Sequence, residues 1–233
     1  ASRPSGDSLN VKLLTRQGSA AYAEVETMGF TPNATVTNAI DEQATVLTIG
    51  NGQDLDVVKI DTFAYLDNEI VAVKAINLVA GSVTVDRGVL DTVPVPHLAA
   101  ARIWFADALE ALITEQYLSG ETLQVKMLPA TGLGRLTESA ATADSYTFAG
   151  RMIRPYPPGN VKVNNAMWPT VILGQIALTW SHRDRMQQTV YLVTQMEANI
   201  GPEAGTTYTV RVYNENNGLQ KTVTGLSDRK SVV

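Results

Sequence analysis

The 233-residue chain has no cysteine and only two histidines. Without thiols there is no disulfide framework, thiolate metal site or cysteine nucleophile. His97 and His182 fall in separate segments, so a histidine-pair metal site or a serine triad would need a partner that spacing does not identify. Basic residues are also scarce: 18 Lys and Arg against 23 Asp and Glu give a formal charge of -5 and a pI near 5.1. Phosphate neutralisation needs clustered cations, which excludes a nucleic-acid-binding face as the expected function. No apolar run approaches the ~18 residues of a membrane-spanning helix, so no membrane span is expected. The only glycine-rich candidate, GLGRL at 132–136, lacks the Lys and the strand-to-helix context of a phosphate loop.

The remaining composition, 45% hydrophobic and 18% charged, belongs to an ordinary globular chain long enough for two domains. Short runs rich in Val, Ile and Thr, punctuated by Gly, Asn and Asp, make it β sequence. VKLLT (11–15) and AYAEVETMGF (21–30) read as strands, as do TVTNAI (35–40), ATVLTI (44–49) and LDVVKI (55–60). In AYLDNEIVAVKAI (64–76) the Asp67–Asn68 pair turns one strand onto the next. SVTVDRGVL (82–90) alternates Val83 and Val85 inward with Thr84 and Asp86 outward. DTVPVPH (91–97) must leave the ladder, because its two prolines cannot donate to it. ARIWF (101–105) resumes the sheet. Over 106–118, Leu109, Leu112, Ile113 and Gln116 share a helical face, yet the strand-like flanks admit a bulged strand equally. ETLQVKMLP (121–129) and a segment near Tyr146–Phe148 add strands.

The expected architecture is mainly β. A small β-barrel or sandwich-like domain occupies 1–150, best defined over 35–128. A proline-rich linker comes next at 151–160, then a truncated immunoglobulin or fibronectin-type-III-like sandwich at 161–227. The linker carries three prolines and a glycine within RMIRPYPPGN. Beyond it, 172–185 and 206–226 read as antiparallel strands with a turn at Asn217–Gly218, and Trp180 is the expected anchor of the first. An immunoglobulin-like domain needs about 7 strands, and this segment offers fewer. The chain, which opens on Ala1, is expected to be a fragment. DRKSVV (228–233) back-translates onto a common sequencing-adapter sequence with a stop codon after it, so those residues are expected to be non-native.

Residues that could carry chemistry are few, and each has a structural use. Asp67, Glu69, Asp86 and Asp91 are close in sequence, as paired carboxylates of glycosidases or oxygen-ligand metal sites would be. Their placement in turns and on an outward strand face favours bracing, with Arg87 the ionic partner of one of them. His97 comes directly after Pro96 and shapes the loop. Arg183, Asp184 and Arg185 form a charged run at a strand end, a candidate interaction surface or a contact with the neighbouring domain. Asn33-Ala34-Thr35 matches a glycosylation acceptor pattern. No catalytic residue, cofactor or metal ligand is expected.

One ordered set of residues resembles a known family. Glu69, Ile70, Val73, Arg87, Gly88, Asp91, Thr92, Pro94, His97, Trp104 and Phe105 form a pattern similar to that of tail-tip proteins of tailed bacteriophages and prophages, including gene-transfer-agent particles. The likeness continues through GETLQVKMLPATGLGRL, RMIRPYPPGNVKVN and ALTWSHRDR. It implies a non-enzymatic structural component of a tail tip or baseplate, made in the bacterial cytoplasm and resident in the virion. Its partners would be other tail proteins in an oligomeric particle, with a host receptor or glycan as a further contact. In this family Arg87, Gly88, Asp91, Thr92, Pro94 and His97 would hold a structural loop. One departure stands out: many relatives carry Gly where this chain has Ala100, and Ala is strained at positive φ. The alternative reading is a carbohydrate-binding adhesin module, with Trp104, Trp168 or Trp180 as its stacking platform.

Overall fold

The computed structural model describes residues 1–4, 6–106, 113–188, 191–197, 200–227 and 230–232. Its regular structure is almost entirely antiparallel β. Strands β1 (Asn10–Gln17) and β2 (Ala23–Met28) open the chain. After them come β3 (Asn33–Val36), β4 (Val46–Gln53), β5 (Phe63–Leu66), β6 (Glu69–Asn77), β7 (Ser82–Asp86) and β8 (Arg102–Phe105). These six close into a barrel in the order β3-β4-β7-β6-β5-β8. Closure leaves no unpaired edge within the barrel. Alternation along each strand sends Ala34, Val36, Leu47, Ile49, Ala64, Leu66, Val71, Val73, Val83, Val85, Ile103 and Phe105 into one core.

Three further strands, β9 (Thr122–Thr131), β10 (Gly134–Arg135) and β11 (Ala143–Thr147), complete a separate sheet. Its centre is the pairing of β1 with β9, from Asn10 opposite Ala130 to Gln17 opposite Leu123. The barrel is therefore an insertion between strands of a flanking sheet, a connection across more than a hundred residues that local pattern cannot reveal. After the proline segment come β12 (Gly159–Val163), β13 (Ala177–Ser181), β14 (Tyr208–Tyr213), β15 (Leu219–Leu226) and β16 (Lys230–Val232). β12, β13 and β16 form one sheet, so the terminal hexapeptide expected to be non-native contributes a strand. β14 and β15 form a hairpin around Asn217, at φ 58°. Trp180 on β13 is buried and lies edge-on to Tyr208, with ring centroids 5.3 Å apart.

Two expectations require correction or placement. LDVVKI is not a strand: Leu55–Val57 forms a 3-10 turn entered through Asp54 at φ 54°. Leu55 and Val58, three residues apart, are the positions that pack on the barrel core, whereas Val57 and Ile60 are exposed. The helix-or-strand question over 106–118 falls largely on 107–112, outside the described residues, and 113–118 has neither. Among the described residues no helix is long and apolar enough to cross a membrane.

β6 explains an ambiguity in the sequence. Residues 69–73 are buried on both faces of the strand. Val71 and Val73 point into the barrel, while Ile70 and Ala72 are covered outside by Val89 and Leu192. An apolar run without alternation is what double-sided burial produces.

The loop exit at Ala100 takes φ 69°, the left-handed region, while its N–H bonds the Val36 carbonyl at 2.8 Å. That conformation disfavours a Cβ by roughly 1–2 kcal/mol, partly offset by the entropy Gly loses on folding. Ala100→Gly should therefore raise stability by about 0.5–1 kcal/mol, read as a higher urea midpoint at unchanged slope.

Candidate functional site

The segment between β7 and β8 is built around Glu69, the first residue of β6. Its side chain is wholly buried beside Arg87, also buried, in a two-pronged pair: Arg87 Nε donates to Oε1 and Nη2 to Oε2, each at 2.7 Å. Oε1 also accepts the Gly88 N–H at 3.0 Å. Oε2 takes the Val95 N–H at 3.1 Å and meets His97 Nε2 at 2.9 Å. The rest of the guanidinium donates to the backbone carbonyls of Asp41 and Ala44, both at 2.9 Å, and of Val95 at 2.7 Å. Every N–H of the guanidinium thus has an acceptor, which is the condition under which a buried ion pair is tolerated.

His97 extends the network outward. Its Nδ1 lies 2.8 Å from Oδ2 of Asp67, whose carboxylate is half exposed. Both ring contacts are donated hydrogen bonds when the imidazole carries both protons, and Asp67, Glu69, Arg87 and His97 then balance as two negative and two positive groups. The His97 backbone pairs with Ile40, N–H to carbonyl in both directions at 2.9 Å. Burial penalises the Glu69 carboxylate, but hydrogen bonds from Arg87 and His97, the Arg87 charge and the Val95 N–H outweigh it, so its pKa lies below the ordinary carboxylate value.

The other loop residues complete the brace. Gly88 sits at φ 60°, and a Cβ there would lie 2.5 Å from Cδ of Pro94. Thr92 Oγ1 accepts the Ile70 N–H at 3.1 Å and donates to the Val89 carbonyl at 2.8 Å. Asp91 pairs with Arg151 from the proline segment, Nη2 to Oδ1 at 2.7 Å. Of the four carboxylates considered as partners for Arg87, the structure selects Glu69. Asp86 instead lies 4.0 Å from Lys74. Glu69, Arg87 and His97 are themselves enclosed.

The charged run that begins just past β13 lies elsewhere than on a free surface. Arg183 and Asp184 are only 3% and 4% exposed, because the chain leaving β13 runs into the junction with the barrel loop. Arg183 Nη2 donates to the Val193 carbonyl at 3.0 Å, and Nη1 reaches Gln195 Oε1 at 3.3 Å and the Gly88 carbonyl at 3.4 Å. The guanidinium carbon lies 5.3 Å from the Tyr156 ring centre. The Gln195 N–H donates to the Arg87 carbonyl at 3.3 Å. No carboxylate pairs with Arg183 among the described residues, and burial pushes its pKa down to about 10. Asp184 caps its own turn through the Met186 N–H and the Gln187 amide. Arg185 is bound by Glu203, Nε to both carboxylate oxygens at 2.9 Å. Asn33, of the glycosylation pattern, is buried, with its amide donating to the Thr31 carbonyl and Gln53.

The partners that sequence could not nominate are the carbonyls of Asp41 and Ala44, more than forty positions from Arg87 and without side-chain identity. Glu69 did carry a signal, as a charge at the head of the apolar run 70–73. No group of three or more His, Cys, Asp or Glu among the described residues could hold a metal ion. No family model and no curated protein matches the chain.

Arg87→Met strips the buried Glu69 carboxylate of its guanidinium and should cost about 3–5 kcal/mol, whereas Arg183→Met strands no carboxylate, only neutral acceptors such as the Val193 carbonyl, and should cost less, about 1–3 kcal/mol; urea unfolding of both variants checks the contrast. Because the folded pKa of Glu69 is depressed, its contribution is complete above the unfolded value near 4.3 and disappears as pH falls through the lower folded value. The stability difference between the native chain and Glu69→Gln should therefore shrink on acidification below pH ~4.

Proposed function

We propose that the chain is a non-enzymatic structural component of a bacteriophage tail tip or baseplate, assembled in the bacterial cytoplasm and carried in the virion. The observation that supports this reading is how the residues of the family-like segment are used. Glu69, Arg87, Gly88, Thr92 and His97 are spent on one another and on backbone, holding a loop rigid. What that loop turns outward is apolar: Val93 and Val95 are about 40% exposed on either side of buried Pro94. A braced loop loses little conformational entropy when it docks. Repeated around a symmetric ring, many such weak contacts add to a firm assembly. Other tail proteins are the partners this mechanism needs.

The test is incorporation into particles. In a strain that produces the particles, the chain should co-sediment with purified tails, and a Val93→Asp, Val95→Asp double variant should reduce its incorporation at least ten-fold while its urea midpoint stays unchanged. Complete, infective particles that lack the chain would overturn the reading.

A further inference from the structure

Beside the proline loop lies a cavity of about 270 Å³ lined by Trp168, Pro94, Glu42, Gln43, Asp86 and Thr194. Its size is close to the lower end of the ~300–1,000 Å³ typical of small-molecule sites, suited to a single ring. Trp168 also lines an adjacent hollow of about 500 Å³, which shares Pro94 and Met167 with the first as well. The Trp168 backbone is in the left-handed region at φ 54°. That is an outlier for a bulky residue, and Trp168 directly precedes Pro169, which further narrows the conformations open to it. Strain of this kind persists where the surroundings hold a side chain in place. Here the side chain held is 38% exposed, unlike Trp180, which is buried, and Trp104, which is half-buried with Arg102 over its ring at 5.4 Å.

The polar groups around this ring have capacity to spare. Neither the Glu42 carboxylate nor the Gln43 amide is held by a hydrogen bond among the described residues, and Asp86 has only the 4.0 Å pair with Lys74. Arg87 borders the cavity, but its guanidinium N–H groups are consumed by Glu69 and backbone carbonyls. An anionic ligand would thus meet two carboxylates and no uncommitted guanidinium. A choline-like cation is recognised by several aromatic faces enclosing it, whereas this cavity presents one aromatic ring, with Met167, Met196 and Pro94 completing its apolar wall beside the acceptors. An apolar face beside acceptors suits a ligand with C–H groups on one side and hydroxyl donors on its rim. We propose that Trp168, Glu42, Gln43 and Asp86 form a binding site for a neutral saccharide, with a pyranose ring stacked on the indole and its hydroxyls donating to the two carboxylates. A particle component with this site would touch a glycan, but the site does not depend on the particle role, and either can fail alone.

The test titrates the intact chain with neutral β-glucose and β-galactose oligosaccharides, tracking tryptophan fluorescence and calorimetric heat, with a sialylated oligosaccharide and choline as comparisons. A neutral sugar should bind with a blue shift in emission. Trp168→Ala should weaken binding at least ten-fold, and Glu42→Gln with Gln43→Ala several-fold, while urea midpoints stay within error of the native chain. If Trp168→Ala does not fold, the Glu42 and Gln43 variants carry the decision. The proposal is overturned if neutral sugars at millimolar concentration do not bind. It is equally overturned if they bind the folded variants as well as the native chain, or if the sialylated sugar or choline binds in preference.

Discussion

A buried carboxylate must be neutralised and hydrogen-bonded or it unfolds what surrounds it, and in this protein that requirement falls on Glu69. The solution gathers the Arg87 guanidinium, the His97 ring and the N–H groups of Gly88 and Val95 on two oxygens. Donors from both ends of the loop meet on one side chain, so the path from Arg87 to His97 is fixed by its charge rather than by ladder bonds that its prolines cannot supply. Arg87 passes the constraint on to the segment at Asp41 and Ala44. The loop, the barrel wall and the preceding turn are therefore parts of one electrostatic arrangement.

The same loop joins the barrel to the C-terminal third of the chain. Val89 covers the outer face of β6 together with Leu192, the Arg87 carbonyl accepts from Gln195, and Asp91 ties back to Arg151. Arg183 fits this junction as a buried cation held by carbonyls and an aromatic face. Placed there, Arg183 ties the later sheet to the loop more than it attracts an outside partner. The exposed groups nearby are Val93, Val95 and Trp168, and the proposed contact surface and saccharide site both draw on this one face.

Much of the barrel was legible in the sequence because its signals are local. The Asp67–Asn68 turn, the alternation of Val83 and Val85, and the prolines at 94 and 96 each act within a few residues. Ala100 takes positive φ at the position where the family resemblance leads one to expect glycine. What escaped depends on distance or on geometry without side-chain identity. The β1–β9 pairing spans the whole barrel, and the carbonyls that hold Arg87 look like any others. LDVVKI misled because a β-branched run resembles a strand, yet a residue at positive φ before it set a three-residue spacing instead. The charged run at 183–185 admits either an interaction surface or a contact with the neighbouring domain, and the burial of Arg183 and Asp184 arises from packing between segments that a linear pattern does not record.

Glu69 and the loop act as a unit. A double-mutant cycle of Glu69→Gln and His97→Gln, read by urea unfolding at neutral pH, measures that coupling directly. An interaction energy within the ~0.5–3 kcal/mol typical of groups in one hydrogen-bond network is the expected result. Additivity of the two substitutions within a few tenths of a kcal/mol would contradict it, because the loop would then be held by something other than the shared carboxylate.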